Sequence, residues 1–247
     1  MISQSREKKA AADADAGFIE RIGIINSRRT GIFTVGWGTF QIAHFNERLF
    51  RFYDVTMPPV IASSVRKRQA EFLAGRFVAA TVLKFCGVTD PAIEIQPDRA
   101  PRWPAGYIGS ISHTNSRAVA VVANSQHHTV AGIDVERVMD SATLMQVLPA
   151  ITVGDEWRRI ECVGNGLSAE QLGTLIFSAK ESLFKALSPV VNKFFDFTAA
   201  TLTQVRIKQR RFTIQLTCDW SEQYHANISF TGRFYINHDA IVTLLVV

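Results

Sequence analysis

Two segments with helical periodicity, one in each half of the chain, limit the fold more than any other feature. The first is RKRQAEFLAGRFVAATVLKF, residues 66–85, and the second extends from Ser168 to Leu187, just before Ser188 and Pro189. Both stand among runs rich in β-branched and aromatic residues, which favour strands. Each half therefore combines strands with a strong helix, and this pattern predicts an α+β protein.

The residues at the ends of these segments support both helices. Ser63 or Ser64 can cap the first helix, and Gly87 marks its end. Ser168 and Gln171 have the spacing of a capping box, in which each side chain bonds the backbone of the other residue at a helix start. The sequence therefore predicts where each helix begins.

Strand-like runs account for most of the remaining sequence. The run GIFTVGWGTFQIAHF, which starts at Gly31, is expected to form a strand pair. Phe212, Ile214 and Leu216 alternate with polar residues, as in a strand with one buried face. Further strands are predicted at SISHT, at AVAVVAN, at residues 129–135, and as a hairpin of FYIN with AIVTLLVV.

A polar stretch, NSQHH at residues 124–128, separates the two halves of the chain. We expect a flexible tail over residues 1–16, an N-terminal subdomain over 17–126 and a C-terminal subdomain over 127–247.

Composition limits the class of protein. With 47% hydrophobic and 20% charged residues, the chain has the composition of a globular protein. Apolar runs such as IVTLLVV are much shorter than the roughly 20 residues of a membrane span, and the N-terminus lacks the apolar segment of a secretory signal. A cytoplasmic protein without a transmembrane segment is therefore expected. The net charge of +5, without long basic runs, favours an anionic ligand or an acidic protein partner over nucleic acid.

Two carboxylates stand in the strand-like stretch GIDVE, residues 132–136. Because side chains two residues apart point to the same face of a strand, Asp134 and Glu136 project together. A divalent cation would resolve their repulsion, since magnesium is usually held by one or two carboxylates together with substrate phosphates. The alternative is an exposed strand face on which Glu136 pairs with Arg137.

The second helix carries both acidic and basic side chains in FSAKESLFKAL, residues 177–187. Glu181 and Lys185 stand at positions i and i+4, on one face of the helix, and Lys180 is adjacent to Glu181. Together with Asp134, these side chains can take part in a reaction at a phosphate group. The alternative is an ordinary ion pair of Glu181 and Lys185 on a solvated helix face.

Candidate phosphate-binding residues occur in the first half. Ser112 and His113 lie in SISHT, where backbone amides and an imidazole could meet a phosphate. Arg68 and Arg76 are about 80° apart in helical projection, so both can reach one side of the helix, and guanidinium groups suit phosphate oxygens. A structural histidine and solvated arginines are the alternatives.

Four motifs in this order resemble those of the 4'-phosphopantetheinyl transferases: KRQAEFLAGR (67–76), WPAGYIGSISHT (103–114), GIDVE (132–136) and FSAKESLFKAL (177–187). More narrowly, the chain is similar to the enterobactin-synthetase component D group, within the larger, pseudo-dimeric branch of the family. The resemblance implies two similar α/β subdomains related by a pseudo-twofold axis, with the active site in the cleft between them.

The resemblance also implies an activity. Such enzymes transfer the 4'-phosphopantetheine arm of coenzyme A to a serine of an apo acyl, aryl or peptidyl carrier protein, and they release adenosine 3',5'-bisphosphate. Siderophore synthesis, of the enterobactin kind, is the pathway that the likeness favours. Two fused halves that form one cleft make a monomer the simplest expectation.

Residue roles are implied motif by motif. Asp134, Glu136 and Glu181 match the positions that hold Mg²⁺ on the pyrophosphate, and Lys180 and Lys185 match contacts to pyrophosphate or pantetheine. The positions that match binders of the coenzyme A phosphates are Arg68, Arg76, Ser112 and His113, the last two at the 3'-phosphate. In related sequences a lysine often precedes the proline that comes before WP. In DRAPRWP that proline is Pro101, and the nearest basic residue before it is Arg99.

Glu181 and Lys185 are the expected catalytic residues. Glu181 would accept the proton of the attacking serine, directly or through water, and Lys185 would offset the charge of the pyrophosphate. Two other functions are weighed against the transferase: a non-catalytic module that binds coenzyme A or a nucleotide, and a magnesium-dependent phosphohydrolase. A pure binding module has little use for three carboxylates.

Overall fold

The computed structural model describes residues 17–26, 33–97, 99–163, 166–191, 193, 195–237 and 239–247. The tail predicted over residues 1–16 lies outside this range. The chain forms two compact units that divide between Asn124 and Ser125. Each unit has an antiparallel sheet with a long helix packed on it, so the α+β class with two α/β subdomains is confirmed. The subdomain limits 17–126 and 127–247 stay a prediction.

The first unit contains a four-stranded sheet, a short two-stranded ribbon and one long helix. Its elements in the described residues are β1 (Ile19–Asn26), β2 (Phe33–Phe40), α1 (Arg48–Phe52), α2 (Pro59–Ala62), α3 (Arg66–Phe85), β3 (Glu94–Ile95), β4 (Pro101–Arg102), β5 (Tyr107–His113) and β6 (Arg117–Asn124). The sheet has the order β1-β2-β6-β5, and β3 pairs with β4. Helix α3 packs across β6, β2 and β5, and it buries Leu73 and Val78 in the core of the unit.

The start of α3 differs from the sequence-based prediction. Neither Ser63 nor Ser64 caps this helix, because both hydroxyl groups donate to the carbonyl oxygen of Val60, at 3.3 and 2.7 Å. The residue at the cap position is Val65, which makes no side-chain capping bond. The predicted end is confirmed, since α3 stops before Gly87, which has a positive φ of 91°.

Within the described residues, the second unit contains a five-stranded sheet, three α-helices and a 3-10 turn at Phe197–Ala199. The strands and α-helices are β7 (Ala131–Arg137), α4 (Ser141–Ile151), α5 (Glu156–Val163), α6 (Ala169–Val191), β8 (Ala200–Arg206), β9 (Arg211–Leu216), β10 (Ser229–Ile236) and β11 (Ala240–Val246). The sheet order is β7-β11-β10-β9-β8, and all neighbours are antiparallel. Helix α6 packs chiefly against β7 and β11.

Helix α6 begins as predicted and ends later than predicted. Gln171 accepts from the Ser168 amide at 3.0 Å, and the Gln171 amide donates to the Ser168 hydroxyl oxygen at 3.2 Å, which confirms the capping box. The helix continues to Val191 with Pro189 inside it, so the predicted end at Leu187 was wrong. A proline in the last turn removes only one backbone donor, which the helix end tolerates.

Other strand predictions were partly right. The β9 side chains Phe212, Ile214 and Leu216 are buried on one face, and β10 pairs with β11 as the predicted hairpin. The strand pair expected from Gly31 is instead one strand, β2, followed by a 3-10 turn at Ile42–His44. Its partners are β6 and the unpredicted β1. No helix within the described residues is both long and apolar enough to cross a membrane.

Candidate active site

The two carboxylates of GIDVE lie on β7, on the side that faces α6. Asp134 is completely buried, and Glu136, two residues further on, is partly exposed. Gly132 precedes them on the same face and allows the close approach of α6, since a Cβ atom there would stand 1.9 Å from the carbonyl oxygen of Ser182. The strand and the helix are therefore in direct backbone contact beside the acidic residues.

Helix α6 supplies two partners to Asp134. The Lys185 ammonium group donates to Asp134 Oδ1 at 2.6 Å, and the Ser178 hydroxyl donates to Asp134 Oδ2 at 2.8 Å. Thr243 of β11 supports Ser178 by donating to its carbonyl oxygen at 2.8 Å. The buried aspartate is thus an acceptor held between a lysine and a hydroxyl group.

The acidic side chains lie close enough to affect one another's charge. Burial raises the pKa of Glu136 to about 7, and the neighbouring charges of Asp134 and Glu181 add to this effect. The pKa of Glu181 is also raised, chiefly by burial and further by Asp134. Lys185 lowers the pKa of both groups but cannot balance three carboxylates. The cluster is therefore short of positive charge.

The chemistry of these donors, though not their arrangement, suits a hard divalent cation. Asp134, Glu136 and Glu181 offer only oxygen atoms. Burial, and after it the charge of Asp134, raises the pKa of Glu136 and of Glu181, and a cation beside them would oppose both shifts. Across the described ranges, however, no group of three or more His, Cys, Asp and Glu side chains is arranged to hold a metal ion. Among the side chains of the cluster, Lys185 supplies the positive charge that Asp134 contacts.

Lys180 does not join this cluster. Its side chain is buried and ends beside Glu156 of α5, with 2.8 Å between Nζ and Oε2. Burial lowers the pKa of Lys180, while the charge of Glu156 opposes that shift. Of the two lysines predicted to contact the pyrophosphate or pantetheine, the structure brings only Lys185 to the acidic side chains.

In the first unit, Arg68 and His113 are brought together by α3 and β5. Arg68 Nη1 lies 2.8 Å from His113 Nε2, and because a guanidinium group has no acceptor, the histidine nitrogen must accept. The other ring nitrogen, Nδ1, then carries the proton and points to Glu71 at 3.7 Å.

Arg76 is buried on α3 and only partly satisfied. Its Nη2 donates to the Glu94 carbonyl oxygen at 3.4 Å, and its guanidinium carbon stands 5.0 Å from the centre of the Phe72 ring. Within the described part of the chain, Nη1 is buried without a hydrogen-bond partner. Burial lowers the pKa of Arg76 to about 10, and the nearby charge of Arg68 contributes. An anion at this place would satisfy Nη1 and offset two neighbouring positive charges.

The remaining predicted residues of the first unit are Ser112 and Arg99. Ser112 is buried on β5, next to His113. Gly75 of α3 lets the helix come close to this strand, because a Cβ atom there would stand 2.9 Å from Ile111 Cγ2. Arg99 is exposed in the turn between β3 and β4, where its φ is 71° and its amide donates to the Gln96 carbonyl oxygen.

Comparison with known proteins decides the family. The family model of the 4'-phosphopantetheinyl transferase N-terminal domain matches the sequence of residues 58–123. The family model of the 4'-phosphopantetheinyl transferase superfamily matches residues 131–241. Enterobactin synthase component D of Salmonella typhi is 37% identical over 168 residues, which cover 67% of this chain and 68% of that protein. The chain belongs to the 4'-phosphopantetheinyl transferase superfamily. The family predicted from the four motifs is thereby confirmed.

Further relatives of the transferase agree. Enterobactin synthase component D of Escherichia coli (strain K12) is 41% identical over 124 residues, or 49% of this chain and 55% of that protein. The 4'-phosphopantetheinyl transferase PptT of Mycobacterium tuberculosis is 33% identical over 146 residues, or 59% and 62%. The chain is accordingly an enzyme that transfers 4'-phosphopantetheine from coenzyme A to carrier proteins. The non-catalytic module and the phosphohydrolase are set aside.

Two buried acids of the transferase were missed by the sequence analysis. Glu71 lies on α3 between Lys67 and His113, and its i, i+4 spacing from Lys67 was a usable sequence signal. Burial raises its pKa. Glu156 starts α5, a helix that was not predicted, so nothing in the sequence pointed to its burial.

Proposed function

We propose that this transferase performs its reaction at the acidic cluster of β7 and α6. The observation that carries the proposal is the packing of α6 on β7, which brings Glu181 and Lys185 of the helix next to Asp134 and Glu136 of the strand. Three carboxylates and one lysine from two distant segments then lie close enough to affect one another's charge. A diphosphate bound there requires positive charge, and a serine that attacks it requires a base.

Asp134, Glu136 and Glu181 are the residues that would hold a magnesium ion. The ion would neutralise the charge of the pyrophosphate of coenzyme A during the transfer. The support for this role is the burial of these carboxylates beside one another: burial, and after it the charges of Asp134 and Glu181, raises the pKa of Glu136 to about 7. Asp134 would keep its hydrogen bond from Ser178, which orients the carboxylate.

Glu181 is the proposed general base, and Lys185 the proposed partner of the pyrophosphate. Burial and the charge of Asp134 raise the pKa of Glu181, and a raised pKa makes a carboxylate a better proton acceptor near neutral pH. Lys185 is 28% exposed, so its ammonium group can reach a bound phosphate as well as Asp134. The leaving group is adenosine 3',5'-bisphosphate.

We further propose that the first unit binds the phosphates of coenzyme A. Arg76 supports this role best, since its buried Nη1 lacks a partner among the described residues. Arg68 is coupled to Arg76 by charge and contacts His113, so one anion could engage all three side chains. Ser112 and Arg99 are assigned to the same task from the sequence motifs alone.

Siderophore synthesis is the pathway that we propose. Several relatives are named enterobactin synthase component D, and the substrate would be an acyl, aryl or peptidyl carrier protein. We also propose that the enzyme works as a monomer in the cytoplasm.

Mass spectrometry of an apo carrier protein tests the function. After incubation with this protein, Mg²⁺ and coenzyme A, we expect the carrier to gain the mass of one phosphopantetheine group. Glu181→Gln should abolish this gain while coenzyme A binding remains measurable by calorimetry. Glu170→Gln, which changes a half-buried carboxylate in the first turn of the same helix and leaves an oxygen that can accept from the Ser141 hydroxyl, should transfer normally. Full turnover by the Glu181→Gln variant would exclude Glu181 as the general base.

A further inference from the structure

Lys180 leaves α6 in a different direction from the two catalytic candidates. Consecutive residues of a helix are about 100° apart, so Lys180 is about 100° from Glu181 and about 140° from Lys185. Its side chain runs into the interior of the second unit, and only 3% of it is exposed. To contact a phosphate beside Glu181 and Lys185, as the family resemblance implies, the Lys180 side chain would have to leave the helix in a different direction.

The ammonium group of Lys180 is fully engaged inside the protein. It donates to Glu156 Oε2 at 2.8 Å, to the Ile151 carbonyl oxygen at 2.7 Å and to the Phe197 carbonyl oxygen at 3.0 Å. An ammonium group has three donors, and these three acceptors use them all. No donor is left for a phosphate unless one of these bonds breaks.

Glu156 is equally well satisfied and is completely buried. Its Oε1 accepts from the Leu202 amide at 2.6 Å, and its Oε2 accepts from the Val153 amide at 3.0 Å in addition to Lys180. The pair therefore joins α6 to the end of α4, the start of α5 and the strand β8. A buried charge pair with all its bonds made resists displacement, because loss of either partner leaves the other charge unpaired.

The pair has a counterpart on the other side of the same helix. Ser178 donates to Asp134 of β7, and it lies about 160° around the helix from Lys180. Two polar anchors on nearly opposite sides fix the rotation of α6 about its axis. The direction of every other side chain of that turn, including Glu181 and Lys185, depends on this rotation.

We propose that Lys180 and Glu156 are positioning residues for the transfer reaction. They hold α6 in the rotation that turns Glu181 and Lys185 toward Asp134, and Lys180 makes no contact with the substrate. This inference rests on the proposed function of Glu181 and Lys185. It assigns a role to Glu156, and it replaces the substrate contact predicted for Lys180.

The test compares Lys180→Met, Glu156→Gln and the double variant. For each variant we measure kcat with the carrier protein, normalised to the concentration of folded enzyme, and the melting temperature. We also measure the Kd for coenzyme A in EDTA, which removes metal ions so that only contacts between the protein and coenzyme A contribute. Both single variants should lower kcat about 10- to 100-fold, the range usual for residues that orient metal-site ligands. The kcat of the double variant should be no lower than that of the less active single variant, because both changes break the same ion pair.

Coenzyme A binding separates positioning from contact. Because each variant misdirects Lys185 in the same way, we expect the Kd in EDTA to change by about the same factor in Lys180→Met, in Glu156→Gln and in the double variant. A tenfold weaker Kd in Lys180→Met but not in Glu156→Gln would overturn the proposal and restore Lys180 as a phosphate ligand. A lower melting temperature with unchanged kcat would also overturn it, because the pair would then serve stability alone.

Matched controls are available on neighbouring exposed positions. Glu161→Gln removes a carboxylate from the same helix as Glu156, and Lys193→Met removes a lysine that follows α6. Both should leave kcat unchanged. If Lys180→Met does not fold, Glu156→Gln, which keeps the shape of the side chain, still decides between positioning and stability. If the protein without substitutions does not modify the carrier, the proposed function is contradicted. The melting temperatures of the single and double variants would still show whether Lys180 and Glu156 stabilise the fold as a pair.

Discussion

The carboxyl group of Glu136 should make the stability of the metal-free protein depend on pH. Burial raises its pKa from 4.5 to about 7 in the folded state. Between these values the folded protein binds more protons than the unfolded chain, so the free energy of unfolding decreases as pH rises through this window. Melting temperatures measured in EDTA from pH 5 to pH 8 should fall accordingly.

Glu136→Gln supplies the comparison, since it keeps the size of the side chain without its charge. The decrease through that window should be smaller in this variant, because only Glu181 retains a raised pKa in the cluster. Glu222→Gln, which removes an exposed carboxyl group, should behave like the unchanged protein. The interpretation fails if Glu136→Gln and the unchanged protein lose stability equally.

At the scale of single residues, helix and strand periodicities predicted part of the site. The period of two places Asp134 and Glu136 on one face of β7, and the helical period places Glu181 with Lys185. Lys180 was grouped with Lys185 because of the motif, although helical geometry separates the two side chains by about 140°. The spacing of residues sets the direction in which a side chain leaves its element, and membership of a motif does not.

At the scale of elements, the contact of β7 with α6 depends on Gly132. A Cβ atom there would stand 1.9 Å from the Ser182 carbonyl oxygen and 2.8 Å from the Ala186 amide nitrogen, and backbone atoms cannot turn away. Gly132→Ala should therefore push α6 from the strand and lengthen the bond between Lys185 and Asp134. We expect a loss of about 1–3 kcal/mol or more in urea unfolding, with lower transfer activity.

Gly173 provides the control for this prediction. A Cβ atom at Gly173 would meet only the Leu144 side chain, with 2.1 Å to Cδ1, and a side chain can adopt another rotamer. Alanine also favours a helix over glycine by about 1 kcal/mol. Gly173→Ala should therefore cost less than Gly132→Ala, and the reverse order would show that the packing argument is wrong.

The elements that the sequence failed to predict explain which residues were missed. Helix α6 was predicted because its capping box and apolar face lie within one segment. Helices α4 and α5 were not predicted. They contain two of the hydrogen-bond partners of Lys180, Ile151 in α4 and Glu156 in α5. A buried ion pair between two elements needs both elements and their packing, which no local pattern contains.

At the scale of the whole molecule, net charge should govern the encounter with the carrier. The chain has a net charge of +5, and carrier proteins that are acidic would be attracted over distances set by the salt concentration. From about 0.1 M to about 1 M salt the Debye length shrinks from about 10 Å to about 3 Å. With coenzyme A saturating, the KM for an acidic carrier should rise over this range, while kcat at saturating carrier changes little.

A carrier whose surface carboxylates are changed to amides makes this prediction specific. Its KM should be higher at low salt than that of the unchanged carrier, and it should depend less on salt, because the long-range attraction has been removed. The coenzyme A concentration stays saturating throughout, so screening of its phosphates does not contribute. If the two carriers show the same salt dependence, charge does not guide the encounter, and recognition must then depend on short-range contacts with the carrier.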